Sequence, residues 1–115
     1  SVIGYGEASP LKGFSRETIQ DIRWTFQAFT ESIDQNIEYA FDEILILTKV
    51  HCSEIPSLHF AIDTAVYDIA SKESKVPLSK LLNSKCTIYY SQLQFFFQID
   101  LTDKSNFSQI KYLTN

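Results

Sequence analysis

Ile19, Ile22, Phe26, Phe29 and Ile33 recur at steps of three and four, the spacing that gathers side chains on one face of a helix. A second helical pattern follows from about Asn36 to Val50, with Ile37, Phe41, Ile44, Leu45 and Leu47 apolar and Glu38, Asp42 and Glu43 outward. Pro56-Ser57 opens a third, because proline suits a first helical turn and Ile62, Ala65, Val66, Ile69 and Ala70 then share a face. The alanines permit close approach of a neighbouring element. A break at Lys72–Val76 precedes a short helix opened by Pro77 and running through Leu82.

Ahead of these helices, Val2 to Ala8 places β-formers between glycines and ends at Ser9-Pro10, where proline removes a ladder donor. A lone strand needs a partner, and the expected neighbours lie upstream of Ser1, as if the chain were cut at the front. Pro10-Leu11-Lys12-Gly13 reads as a loop. Ser15 is the expected N-cap of the first helix, Glu17 suits its positive end, and Phe14 with Ile19 forms a hydrophobic staple. From Thr87 to Leu101 the sequence is aromatic and glutamine-rich, with Ile88 to Tyr90 and Phe95 to Ile99 as candidate strands. The polar end from Thr102 to Asn115 is expected to be a helix or a frayed tail.

Composition narrows the function classes. The 115 residues are 44% hydrophobic and 21% charged, enough for one modest core with a thin stability margin. Ten Lys and Arg against fourteen Asp and Glu give a net charge of −4 with no basic stripe, which argues against nucleic acid as a partner. The apolar runs Ile44–Leu47 and Phe95–Phe97 are far short of the roughly 20 residues a membrane helix needs. Cys52 and Cys86 lack metal or redox spacing and read as reduced thiols, and with no signal-peptide pattern the expected address is the cytoplasm.

Two segments carry a specific likeness. Gly4-Tyr5-Gly6-Glu7-Ala8-Ser9-Pro10-Leu11-Lys12-Gly13-Phe14-Ser15-Arg16-Glu17-Thr18, and Pro56-Ser57 through Phe60-Ala61-Ile62-Asp63-Thr64-Ala65-Val66-Tyr67-Asp68-Ile69-Ala70, resemble o-succinylbenzoate synthase of the enolase superfamily. Pro77-Leu78 to Leu81-Leu82 continues the likeness, which covers roughly residues 1 to 82. The second segment fits muconate cycloisomerases and dipeptide epimerases nearly as well. The resemblance implies an incomplete α+β capping domain over residues 1–82, with short meander strands followed by about three helices, and a divergent or truncated tail over 83–115. It also implies a partner, a catalytic (β/α) barrel that supplies two lysines and three acidic ligands for magnesium. There, water is eliminated from a cyclohexadiene carboxylate to give o-succinylbenzoate on the way to menaquinone. Because the chain shows no Lys-x-Lys pair and no acidic residues at successive strand ends, it is expected to hold no cofactor and to lack catalytic residues of its own.

On this reading Pro10, Leu11, Lys12, Gly13, Phe14 and Ser15 form a substrate-capping loop, whose apolar side chains exclude water. Capping and stapling of the first helix by Ser15 and Phe14 stands beside that role. Glu7, Asp63 and Asp68 read as structural hydrogen-bonding groups. His51, Cys52, Glu54 and His59 have ligand chemistry but no zinc spacing. Phe95-Phe96-Phe97 reads as core or subunit contact. A non-catalytic interaction module that keeps the cap fold and binds through its helix face or an open strand edge is the alternative from another class.

Overall fold

The computed structural model describes residues 2–11, 13–83, 92–100 and 108–114. In chain order these form β1 (Val2–Ala8), α1 (Ile19–Ser32), β2 (Tyr39–Ala40), α2 (Phe41–Cys52), α3 (Pro56–Ser74), α4 (Leu78–Asn83), β3 (Gln92–Leu93), β4 (Phe95–Asp100) and β5 (Ser108–Thr114). The chain is a small mixed helix and strand protein of α+β type. Lys12, Cys86 and the candidate strand Ile88 to Tyr90 lie outside the described residues.

β1 buries Gly4, Gly6 and Ala8 and exposes the odd positions between them, as a strand with one covered face must. The cover is α3. A Cβ on Gly6 would overlap the backbone of Ala61, and one on Gly4 would overlap the carbonyl of Ala65 and the side chain of Ile69. The glycines of the strand and the alanines of the helix therefore form one close-approach surface, and the Gly-Tyr-Gly pattern follows from packing.

The sheet order is β1-β5-β4, antiparallel throughout, with Tyr5 opposite Lys111 and Lys111 opposite Gln98. One neighbour of β1 thus comes from Ser108–Thr114, and the polar segment expected as helix or tail is the central strand. Strand pairing is a long-range contact, and nothing in the local pattern of that segment encodes it. β2 pairs with β3 as a second, two-stranded ladder, Tyr39 opposite Leu93.

The helical stripes fall where the spacing placed them. Ile22, Phe26, Phe29 and Ile33 are buried, as are Ile62, Ala65, Val66, Ile69 and Ala70. Phe95 and Phe97 alternate inward while Phe96 faces out. Phe29 meets Phe97 edge-on at 4.9 Å, Phe41 meets Phe95 at 5.8 Å, and the Phe95 and Phe97 rings stack at 5.9 Å. This aromatic cluster joins the helices to β4.

Four local expectations are corrected. α1 is capped by Thr18, whose hydroxyl accepts the Asp21 amide at 3.2 Å while the Asp21 carboxylate accepts the Thr18 amide at 2.9 Å. That reciprocal box satisfies two donors at once, which a Ser15 cap three residues earlier does not. Phe14 is 89% exposed and staples nothing. The second helix starts at Phe41 and not near Asn36, because Asp34 accepts the Asn36 amide at 2.8 Å in a turn that competes with helix; Ile37 is left exposed. α3 runs past Lys72 to Ser74 and closes through Lys75 in the left-handed region (φ 56), with the Val76 amide donating to the Ser71 carbonyl at 3.2 Å.

Candidate functional site

Where β1 ends, the chain turns sharply into the loop that separates it from α1. The Leu11 carbonyl accepts from both the Phe14 and Ser15 amides, at 2.9 and 2.8 Å, and the Leu11 amide donates to the Ser15 hydroxyl at 2.8 Å. Gly13 carries φ +88, a conformation that side chains rarely adopt, and a Cβ there would meet no neighbour. Backbone geometry, not crowding, calls for glycine at this position.

The exit of the loop toward α1 is anchored twice. Thr18 caps α1, and one residue earlier the Glu17 carboxylate accepts the Ser57 amide at 3.1 Å in the first turn of α3. The residue at the N-cap position of α3 is Ile55, which has no side-chain acceptor, so the orphan donor is met from another part of the chain. Burial works against the charge on Glu17. Hydrogen bonds from its own amide and from the Ser57 end of α3 outweigh that and hold its carboxyl below the usual carboxylate range. An anion at a helix N-terminus is further favoured by the aligned peptide dipoles.

Two concavities meet at this loop. One of about 410 Å³ is lined by Pro10, Gly13, Ser15, Glu17, Thr18 and Ile19. The other, of about 540 Å³, lies between Glu7, Ser9, Ser15, Glu17, Ser57 and Phe60. Ser15 and Glu17 are common to both. Leu11 is 64% exposed and Phe14 89%, so two apolar side chains project from a closed backbone beside the grooves.

Five of the six loop residues singled out from the sequence, Pro10, Leu11, Gly13, Phe14 and Ser15, therefore sit on one tight turn. Glu17 was read as serving α1, and the structure places it on α3 instead. The missing cap at Ile55 was the signal in the sequence that an acceptor had to arrive from elsewhere. Ser15 is occupied in closing the loop and Glu17 in holding α3; the arrangement can cover and exclude water more readily than it can move a proton.

The residues with ligand or nucleophile chemistry are engaged separately. His51 packs against the Phe29 ring at 6.2 Å. His59 Nε2 lies 3.2 Å from the Asp63 carboxylate, whose pKa is raised by burial, with His59 pulling it partly back. Asp68 accepts the Tyr5 amide at 3.0 Å. Among the described residues no group of three or more His, Cys, Asp or Glu could hold a metal ion. No helix among them is long and apolar enough to cross a membrane. No protein-family model, curated protein or solved structure matches the chain.

Proposed function

We propose that this chain acts as the lid of an o-succinylbenzoate synthase-like enzyme, with the turn from Pro10 to Ser15 covering a carboxylate substrate held by a catalytic barrel. The observation that carries the reading is the exposure of Leu11 and Phe14 on a loop whose backbone is already closed. A lid must offer apolar surface to a pocket without collapsing onto its own domain. Internal hydrogen bonds at Leu11 and Ser15, and anchors at Glu17 and Thr18, give such a loop a fixed shape before anything is bound. The strand and helices behind it then correspond to a capping domain.

In this reading the chain's own residues perform no bond-breaking step. The barrel, and not this chain, would hold magnesium, which would make the proton next to the carboxylate easier to remove. Leu11 and Phe14 would displace water from above that site, and a drier site strengthens its electrostatics. No magnesium ligands are assigned to this chain.

A transplant tests the proposal. Residues 9–18 replace the corresponding lid loop of an intact o-succinylbenzoate synthase, and kcat/KM for the cyclohexadiene carboxylate is measured. Retention to within about tenfold is expected, a change of about 1.4 kcal/mol in barrier, with Phe14→Ser in the transplanted loop raising KM. Loss of all turnover despite a folded host would overturn the reading. So would turnover by the present chain alone with magnesium and substrate.

A further inference from the structure

β1 is an edge strand: β5 lies along one side, and among the described residues no other strand pairs with it. Successive residues of a strand direct their amide and carbonyl groups to alternate sides. Tyr5 and Ile3 direct theirs away from β5, since the Tyr5 amide donates to Asp68 Oδ2 at 3.0 Å and the Ile3 carbonyl accepts from Lys72 Nζ at 2.7 Å. Asp68 and Lys72 stand one turn apart on α3 and are themselves 2.9 Å apart. The ammonium also lies 5.1 Å from the centre of the Tyr5 ring. An exposed pair one helical turn apart adds little stability on its own account. Here both charges are directed at backbone groups that a neighbouring strand would otherwise use.

We propose that Asp68 and Lys72 form a gate on a self-pairing edge, and that their contacts stop a second copy of this chain from adding its β1 antiparallel to the first. The edge matches itself. Ile3, Tyr5 and Glu7 are the outward residues and are symmetric about Tyr5. Two copies related by a twofold axis would set Tyr5 opposite Tyr5 and Ile3 opposite Glu7, so every outward backbone group meets another. Tyr5 and Ile3 are also exposed apolar side chains, which a cross-strand pair would partly cover. Unprotected edges of this kind are where chains associate, and charged side chains are a known means of blocking them.

The experiment is gel filtration with light scattering on the whole chain and on the Asp68→Ala/Lys72→Ala variant, with circular dichroism to establish folding. The unaltered chain should run at one chain mass and the folded variant at twice that mass. A folded variant that stays monomeric, or an unaltered chain that is already a dimer through β1, overturns the proposal. Should the double change unfold the chain, Asp68→Leu/Lys72→Met combined with Tyr5→Cys decides, because side chains of similar size keep the volume beside β1 while freeing both backbone groups. A hydrogen-bonded antiparallel pair brings facing Cα atoms to about 5.5 Å, within disulfide range. Oxidation should then give a covalent dimer linked from position 5 to position 5 by peptide mapping; absence of that link, or linkage through Cys52 or Cys86, overturns it.

Discussion

Cys52 closes α2 with no exposed surface, and burial, reinforced by the Asp63 carboxyl, pushes its thiol from 9.0 up to about 12. The thiolate is the reactive form, so this cysteine is inert in the native chain. The folded state keeps the proton up to the raised value, whereas the unfolded chain releases it near 9.0. Stability from this group is therefore complete below 9.0 and declines as the pH rises toward about 12. Iodoacetamide at mildly alkaline pH should leave Cys52 unlabelled in the folded protein and label it in urea, and the urea midpoint should fall through that window. Fast labelling of Cys52 without denaturant would contradict the burial. The sequence reads the cysteine as a reduced thiol without ligand spacing; the depth of its burial is a property of how α2 and α3 meet.

At the scale of elements, the contact that matters most is α3 lying on β1. Gly6→Ala would drive a methyl group into the Ala61 backbone, which cannot rotate away as a flexible side chain could. Overpacking of this kind costs about 1–3 kcal/mol, and a lowered urea midpoint with unchanged slope is the expected readout. Unchanged stability would mean that strand and helix sit further apart than the structure has them. The helices themselves were legible, because a period of 3.6 in apolar positions is written into the chain before any packing occurs. Helix starts were less so. Ser15 and Thr18 are both good caps locally, and only the partner at Asp21 separates them. The loop residues Pro10 to Ser15 were found together because they are contiguous and carry turn chemistry. Glu17 escaped because its partner is Ser57, forty positions away.

For the molecule as a whole, the sheet is assembled from both ends of the chain, with β5 between β1 and β4. A central strand uses both of its hydrogen-bonding sides, so it tolerates proline worse than either edge. Tyr112 stands opposite Gly4 on one side and Phe97 on the other. Tyr112→Pro is expected to abolish the cooperative thermal transition, while Leu11→Ala, at an exposed side chain and with its amide retained, should leave it nearly intact; equal effects would remove β5 from the centre of the sheet. The amino-acid order alone determined the helical stripes, the glycine-bearing strand and the turn at Gly13, because each depends on residues within a few positions of one another, whereas three consecutive phenylalanines do not say which of them faces inward. Only the tertiary structure decided that Ser108–Thr114 is a strand, that Glu17 serves α3, and that Asp68 and Lys72 cover the β1 edge. Each of those rests on a contact between distant segments, and a polar residue's local pattern says nothing about which distant donor or acceptor it will meet.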